Sequence, residues 1–440
     1  MSKNKSLEIV CPDTAGIDVG SMSHFVAVPE DRDESAIREF KGFTSDLKDM
    51  VCWLKKCKIK SIAMESTGVY WVPLYEVLED NGFEVYLVNG QHTKNVSGRK
   101  TDVSDCQWIQ KLHSYGLLNK SFRPHSEVLR LRSYIRQRKN LVNSAARQIQ
   151  HMQKALMQMN VHLHHVITHL TGKSGMAIMR SIIKGERDPK ILTMKVNSQC
   201  RTPIEEIEKA LDGHYREEHV FELKQALDLW DFYQEKVAEC DLKIEEYLKK
   251  FESKTECTLP KQKRVASKNK YSFDVSQELY RVTGVNLTAI PGINELTALE
   301  IISEVGLDMS KWKSAKHFAS WLALCPNNKI SGGKLLKKRT LPSANRAAQA
   351  LRMAAFALYR SQTAIGAYLR RQKARLGPAK AITATARKLA VTIYTMLKEG
   401  TEFIEQGLEK YEQQFQQRVI RGLKRKAAHF GYQLTVKNTE

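Results

Sequence analysis

The chain is poor in long apolar runs. No stretch approaches the roughly 18–20 consecutive apolar residues that a helical membrane span requires, so no membrane role is expected. The opening residues, Met-Ser-Lys-Asn-Lys-Ser-Leu-Glu, carry no apolar core of a secretion signal, and the cytosol is the expected compartment. Paired cysteines are missing too. The eight cysteines (Cys11, Cys52, Cys57, Cys106, Cys200, Cys240, Cys257 and Cys325) form no CxxC and have no metal-spaced histidine nearby, so they read as free thiols rather than zinc ligands. A nucleotide-binding P-loop is absent: Gly333-Lys334 is followed by Leu335, which leaves ATP without an evident role as energy source. Acidic residues are the last shortage, 48 Asp+Glu against 70 Lys+Arg, for a formal charge of +22. Such an excess predicts a polyanion partner, nucleic acid first. At 440 residues, 42% hydrophobic and 27% charged, the chain has the composition of globular protein with room for two or three domains.

Because acids are scarce, the motifs that contain them stand out. Asp18 lies in Gly-Ile-Asp-Val-Gly and Glu65 in Met-Glu-Ser-Thr-Gly, each ending or interrupting a short apolar run; Asp102 and Asp105 lie three apart in Arg-Lys-Thr-Asp-Val-Ser-Asp. Carboxylates gathered in one place repel one another unless a cation sits among them. Hard oxygen donors of this type suit Mg²⁺ or Mn²⁺. A pair of such ions can bind the attacking and leaving oxygens of a phosphodiester displacement. Taken singly, each acid has a plainer reading: Asp102 as a first-turn carboxylate on a helix dipole, Glu65 as a surface residue.

Periodicity divides the chain. Residues 12–122 read as an α/β, metal-binding domain, with strands within Ala15–Val28 (split by a turn at Gly20–Ser23), Ile59–Met64 and Phe83–Val88, and a helix over Tyr70–Asn81. A basic loop, Lys94–Lys100, offers Arg99 and Lys100 as nucleic-acid contacts. Thr101 is placed to cap a helix through Trp108 and Leu112, whose first turn holds Asp102 and Asp105 on one face. Residues 123–253 read as long coiled-coil helices around a mixed insert at 172–213. From Val128 to Leu170, apolar residues alternate spacings of three and four with Arg138 the one exception, which predicts a single long helix; a second runs from Val220 to Phe251. Pairing within the chain and pairing between subunits are both open. His162, His164, His165 and His169 read as a polar face of the first helix. A basic linker (254–278), a helical domain (279–400) and a basic tail (401–440, with Arg418, Arg421, Lys424, Arg425 and Lys426) complete the chain.

Two features of the helical domain suit phosphate. Pro291-Gly292, before a helix at Leu296–Val305, resembles a helix-hairpin-helix turn, whose amides grip a DNA phosphate; an ordinary turn is the alternative. Cys325–Lys334 reads as a loop between helices. In it Ser331 precedes Gly332 and Gly333 amid Lys329, Lys334, Lys337, Lys338 and Arg339. Glycines allow close approach of a phosphate, and a serine hydroxyl becomes a nucleophile only when a base or metal activates it. On the residues alone, simple flexibility is the plainer reading of Ser-Gly-Gly. A helix over 344–359 presents Arg346, with Arg352 further along it.

In their order, Gly16-Ile-Asp-Val-Gly20, Met64-Glu-Ser-Thr-Gly-Val-Tyr-Trp71, Val88-Asn89, Gly98-Arg-Lys-Thr-Asp-Val-Ser-Asp105, Ile290-Pro-Gly-Ile293, Ser331-Gly-Gly333 and Asn345-Arg346 resemble the DEDD insertion-sequence transposases, over residues 12–400 or so. The resemblance implies an RNase H-like, Holliday-resolvase-type domain, a coiled coil and a C-terminal serine transposase domain, in a bacterial, nucleoid-associated DNA recombinase. It implies that Asp18, Glu65, Asp102 and Asp105 hold Mg²⁺ and that Ser331 is the covalent nucleophile. It further implies donor and target DNA specified by a structured noncoding bridge RNA, and a homo-oligomer, dimer to tetramer. A phosphoserine link conserves phosphodiester energy, which agrees with the missing P-loop. Two positions depart from the family pattern: Ser21 stands where a basic residue is frequent, and Cys106 where a small alanine is common. The alternatives are a metal-dependent nuclease or junction resolvase using water, and a non-catalytic nucleic-acid scaffold.

Overall fold

The computed structural model describes residues 8–88, 90, 102–260, 269–343 and 345–435, without the side chains of Asp102, Lys329, Lys337, Lys338 and Arg339. Its internal contacts group into two units, 1–123 and 124–440.

The first unit is built on a five-stranded sheet in the order β3-β2-β1-β4-β5: β1 Thr14–Val19, β2 Ser23–Ala27, β3 Ile37–Lys41, β4 Ser61–Glu65 and β5 Glu84–Val88. β1, β2 and β3 form an antiparallel meander, while β4 and β5 run parallel to β1. Helices α1 (Thr44–Lys56) and α2 (Trp71–Asp80) cover one face, burying Leu47, Met50, Leu54, Leu74 and Leu78 with Ile17, Ile62 and Met64. Helix α3 (Asp102–Ser114) covers the other, where Ile109 packs with Ala63, Val88 and Leu118. Because strand side chains alternate between faces, each central strand gives every second residue to each layer. Thr101, the expected cap of α3, lies outside the described residues.

Among the described residues, the second unit is helical apart from one hairpin. Helices α4 (Ser126–Gln158) and α9 (Glu217–Leu248) pair antiparallel within the chain. Tyr134 meets Tyr247 at 6.1 Å, Arg138 pairs with Asp241, and Leu156 shares a core with Leu223. The expected single helix from Val128 to Leu170 is cut short at Gln158. Asn160 takes a left-handed conformation (φ +57°), and the Val161 amide turns back to Leu156 O at 2.9 Å. Apolar spacing persists beyond the break because Leu163, Val166 and Leu170 still bury, now in the core of an insert. That insert holds α5 Leu163–Val166, α6 Lys173–Ile183, α7 Pro189–Thr193 and α8 Ile204–Leu211. His162, His164, His165 and His169 therefore lie past the end of the long helix.

The remaining helices are α10 Val275–Thr283, α11 Glu295–Val305, α12 Ala315–Trp321, α13 Arg346–Ala357, α14 Ala364–Leu376, α15 Pro378–Glu399 and α16 Leu408–His429. α10 begins inside the stretch expected to be linker. Arginines of α4 fix the C-terminus of α11. Arg136 makes two bonds to the Glu304 carboxylate, 2.9 and 2.8 Å, and Arg132 donates to the carbonyls of Ser303 and Glu304 at 2.9 and 2.8 Å. Cations at a helix C-terminus oppose its partial negative charge.

The segment expected to be a loop between helices is a two-stranded hairpin, β6 Pro326–Ser331 and β7 Lys334–Thr340. Gly332 (φ +53°) and Gly333 (φ +75°) form its two-residue turn. Positive φ at both central residues is the type I′ arrangement, whose twist matches that of paired strands and which glycine adopts without steric cost. The same pair that suggested flexibility is what closes the hairpin.

Candidate active site and nucleic-acid surface

β1 delivers Asp18. Ala15, Ile17 and Val19 enter the core under α1 and α2, so Gly16 and Asp18 face α3. β4 repeats the pattern: Ile62 and Met64 join that core, Ala63 packs with α3, and Glu65 shares its side. The register pairs Gly16 with Ala63 and Ile17 with Met64. Asp18 and Glu65 are next in line, on strands spaced about 4.8 Å apart. Both are half-buried.

α3 crosses this face at backbone contact. A Cβ on Gly16 would stand 2.3 Å from Gln110 N and 2.4 Å from Cys106 O. Asp105, half-buried, immediately precedes that contact in α3. The Cys106 thiol, which donates to Val103 O at 3.1 Å, is pushed up to about 12 by burial, with the negative charges of Asp18 and Asp105 adding to the effect. It stays protonated. Glu65 is accommodated by Gly90, where a Cβ would come within 2.8 Å of Oε1. Asp102 opens α3, but its side chain is not described, and Arg99 and Lys100 fall outside the described residues.

The structure thus brings Asp18, Glu65 and Asp105 to one side of the sheet. Among the described residues, no three His, Cys, Asp or Glu side chains close into a metal cage. Further along α3, His113 is buried with Nε2 2.8 Å from Ser61 Oγ, and burial pushes it down to about 4, a neutral packing residue rather than an acid–base group.

On the hairpin, Ser331 and Lys334 pair across the turn and both are exposed. Arg346 opens α13 behind the cap Asn345, whose side chain accepts from the Ala348 amide at 3.1 Å, and it is half-buried. Arg352 donates to Ala323 O at 3.4 Å, a residue held at φ +53°, and so closes the turn after α12. Gly292 (φ +86°) has a packing reason for its identity: a Cβ would lie 2.8 Å from Ala354 O. Sequence reasoning missed the structural parts of Gly16, Gly90 and Cys106. Gly16 was visible inside its motif, but its reason, the helix crossing it, comes from 90 residues later.

Two family models match the chain. Residues 15–161 match a DEDD-type model described as a transposase, and residues 285–370 match the transposase IS116/IS110/IS902 family. The protein is a DNA transposase, an enzyme of insertion-sequence recombination. Within that class it belongs to the IS110 family. A search of curated proteins finds no match.

Proposed function

We propose that this transposase cuts and rejoins DNA through the Ser331 hydroxyl, with Asp18, Glu65, Asp102 and Asp105 holding Mg²⁺ or Mn²⁺ at the reacting phosphodiester. The observation that carries the reading is the placement of Asp18 and Glu65 side by side on parallel strands, on the side of the sheet that carries Asp105. All four donors are carboxylate oxygens, the set that suits a hard dication. Such an ion, when bound, neutralises phosphoryl charge and makes a nearby hydroxyl more acidic. The sheet order β3-β2-β1-β4-β5, an antiparallel meander followed by two parallel strands, supports an RNase H-like domain, and the Pro291-Gly292 turn before α11 supports a helix-hairpin-helix-like element.

Ser331 Oγ attacks phosphorus as its proton leaves to water; the Oγ–P bond forms while the P–O bond to the departing strand breaks. A hydroxyl of the joining strand then attacks the phosphoserine and releases Ser331. One phosphodiester is spent and one restored, so no nucleotide need be hydrolysed. Lys334, Lys337 and Arg339 supply positive charge around the serine. Arg99, Lys100, Gly292, Gly332, Gly333, Arg346 and Arg352 complete the nucleic-acid surface. A structured noncoding RNA of the element guides the choice of donor and target, and the working form is a homo-oligomer, dimer to tetramer, at the bacterial nucleoid.

Denaturing gels test the chemistry. With Mg²⁺ and DNA carrying the element's ends, a protein–DNA adduct should form; Ser331→Ala and Asp18→Ala should each abolish it while DNA binding persists. Free nicks that survive Ser331→Ala would mean that water is the nucleophile. RNA extracted from the purified complex should contain one discrete transcript.

A further inference from the structure

The β6–β7 ladder is irregular at one point. Ser331 pairs with Lys334 and Ile330 with Leu335, but Lys329 pairs with Lys337. Leu336 is left without a partner, a β-bulge in β7. Alternation along a strand assigns ladder positions to faces. On β6, positions 331, 329 and 327 share one face. On β7, position 334 shares the face of its partner 331, and because the bulge absorbs one residue, positions 337 and 339 return to it. The ladder therefore sets Ser331 on one face with the positions of Lys329, Lys334, Lys337 and Arg339. The opposite face has Asn328, Ile330, Leu335 and Lys338. In a ladder without the bulge, Leu336 would stand opposite Lys329, and Lys337 and Arg339 would turn away from the serine.

The described side chains of the ribbon between Pro326 and Leu336 are exposed. Ile330 is 65% exposed, Leu335 49% and Leu336 69%, and no acidic residue occurs between Pro326 and Leu341. A surface with five cations and no acids fits a polyanion rather than another copy of this basic chain.

We propose that the ribbon is a one-faced phosphate clamp: the bulge at Leu336 gathers four cationic positions on the serine's face, and the partner is the DNA sugar–phosphate backbone flanking the bond at Ser331. Only that last clause rests on the catalytic reading above. Lys338, grouped with the cluster by sequence proximity, holds a ladder position on the far face.

Salt dependence of duplex binding, followed by fluorescence anisotropy on the full chain in a Ser331→Ala background, separates the faces. Each phosphate contact contributes about −0.9 to the slope of log K against log salt. Lys337→Ala and Arg339→Ala should each flatten the slope by about 0.9, and Lys338→Ala should leave it unchanged. One-residue changes in chain length make opposite predictions. Deleting Leu336 removes the bulge but keeps Lys337 and Arg339 beside position 331, so the slope should hold. Inserting one threonine between Lys329 and Ile330 gives Leu336 a partner and turns positions 329, 337 and 339 to the far face, so the slope should flatten by about 2–3. Equal losses for Lys337→Ala and Lys338→Ala, or no loss for either, would overturn the clamp. Because binding is read without chemistry, failure of the serine adduct would leave this comparison intact.

Discussion

At the scale of single residues, Gly16 sets how closely α3 can approach the strand that carries Asp18. Substitution by alanine drives a methyl into the backbone of α3 at 2.3–2.4 Å, and neither Gln110 N nor Cys106 O belongs to a side chain that could swing away. The helix must lift, carrying Asp105 with it. Gly16→Ala should cost about 2–4 kcal/mol by urea unfolding and reduce DNA cleavage more than it reduces DNA binding; a variant with unchanged stability and activity would refute the contact. His113 provides the pH counterpart. Its folded-state value, about 4, lies below the ordinary 6.5, so folding prefers the neutral ring. Its stability contribution is complete above about pH 6.5 and fades as pH falls toward 4, by up to about 3 kcal/mol. Removing the imidazole, as in His113→Gln, should flatten the loss of stability between pH 7 and pH 4 in urea titrations. The acids were legible in sequence because they are rare and end apolar runs. Gly90 was not, because its contact with Glu65 is made through space between two strand ends.

At the scale of elements, the long helices were legible in their seams and illegible at their ends. A spacing of three and four reports burial on one side, and Leu163, Val166 and Leu170 satisfy it in a different core from the one that Val128 and Leu131 enter. The stop is set by Asn160, a residue too ordinary in sequence to mark a break. β3 escaped notice because Ile37-Arg-Glu-Phe-Lys41 is an edge strand with only half-buried and exposed positions, and the hairpin did because its bulge disrupts alternation. Arg138, the one polar member of the α4 seam, proves to be the element's specific lock. It is 5% exposed, pairs with Asp241 of α9, and donates to the carbonyls of Asn269 and Lys270 at 3.2 Å each; Asp241 accepts from the Ser272 amide at 3.0 Å. Removing one partner leaves a buried charge alone. Arg138→Met should therefore cost about 3–5 kcal/mol, measured by chemical denaturation. Adding Asp241→Leu should recover part of that loss and not all of it, since the three backbone groups stay unpaired. A double variant no more stable than the single one would show that the Asp241 charge is not the source of the penalty.

At the scale of the whole molecule, a charge of +22 governs how the transposase meets DNA before any chemistry begins. α16 concentrates part of that charge: Arg418, Arg421, Lys424, Arg425 and Lys426 lie along its exposed length, while its first turns dock through Tyr411, with the Arg371 guanidinium 3.8 Å from the Phe415 ring centre. The docked end contains the helix's acids, Glu409 and Glu412, and the projecting end has none. Positive charge and anchorage to the protein are thus divided along one helix. If the projecting end lies on DNA, changing Arg421, Lys424 and Arg425 together to glutamine should flatten the salt slope of binding by up to about 2.7, with folding unaffected because none of the three is buried. If it is only a solvated face, the slope stays where it was. The adduct assay under saturating DNA should be indifferent in either case, since loss of encounter charge is made good by concentration whereas loss of Ser331 or Asp18 is not.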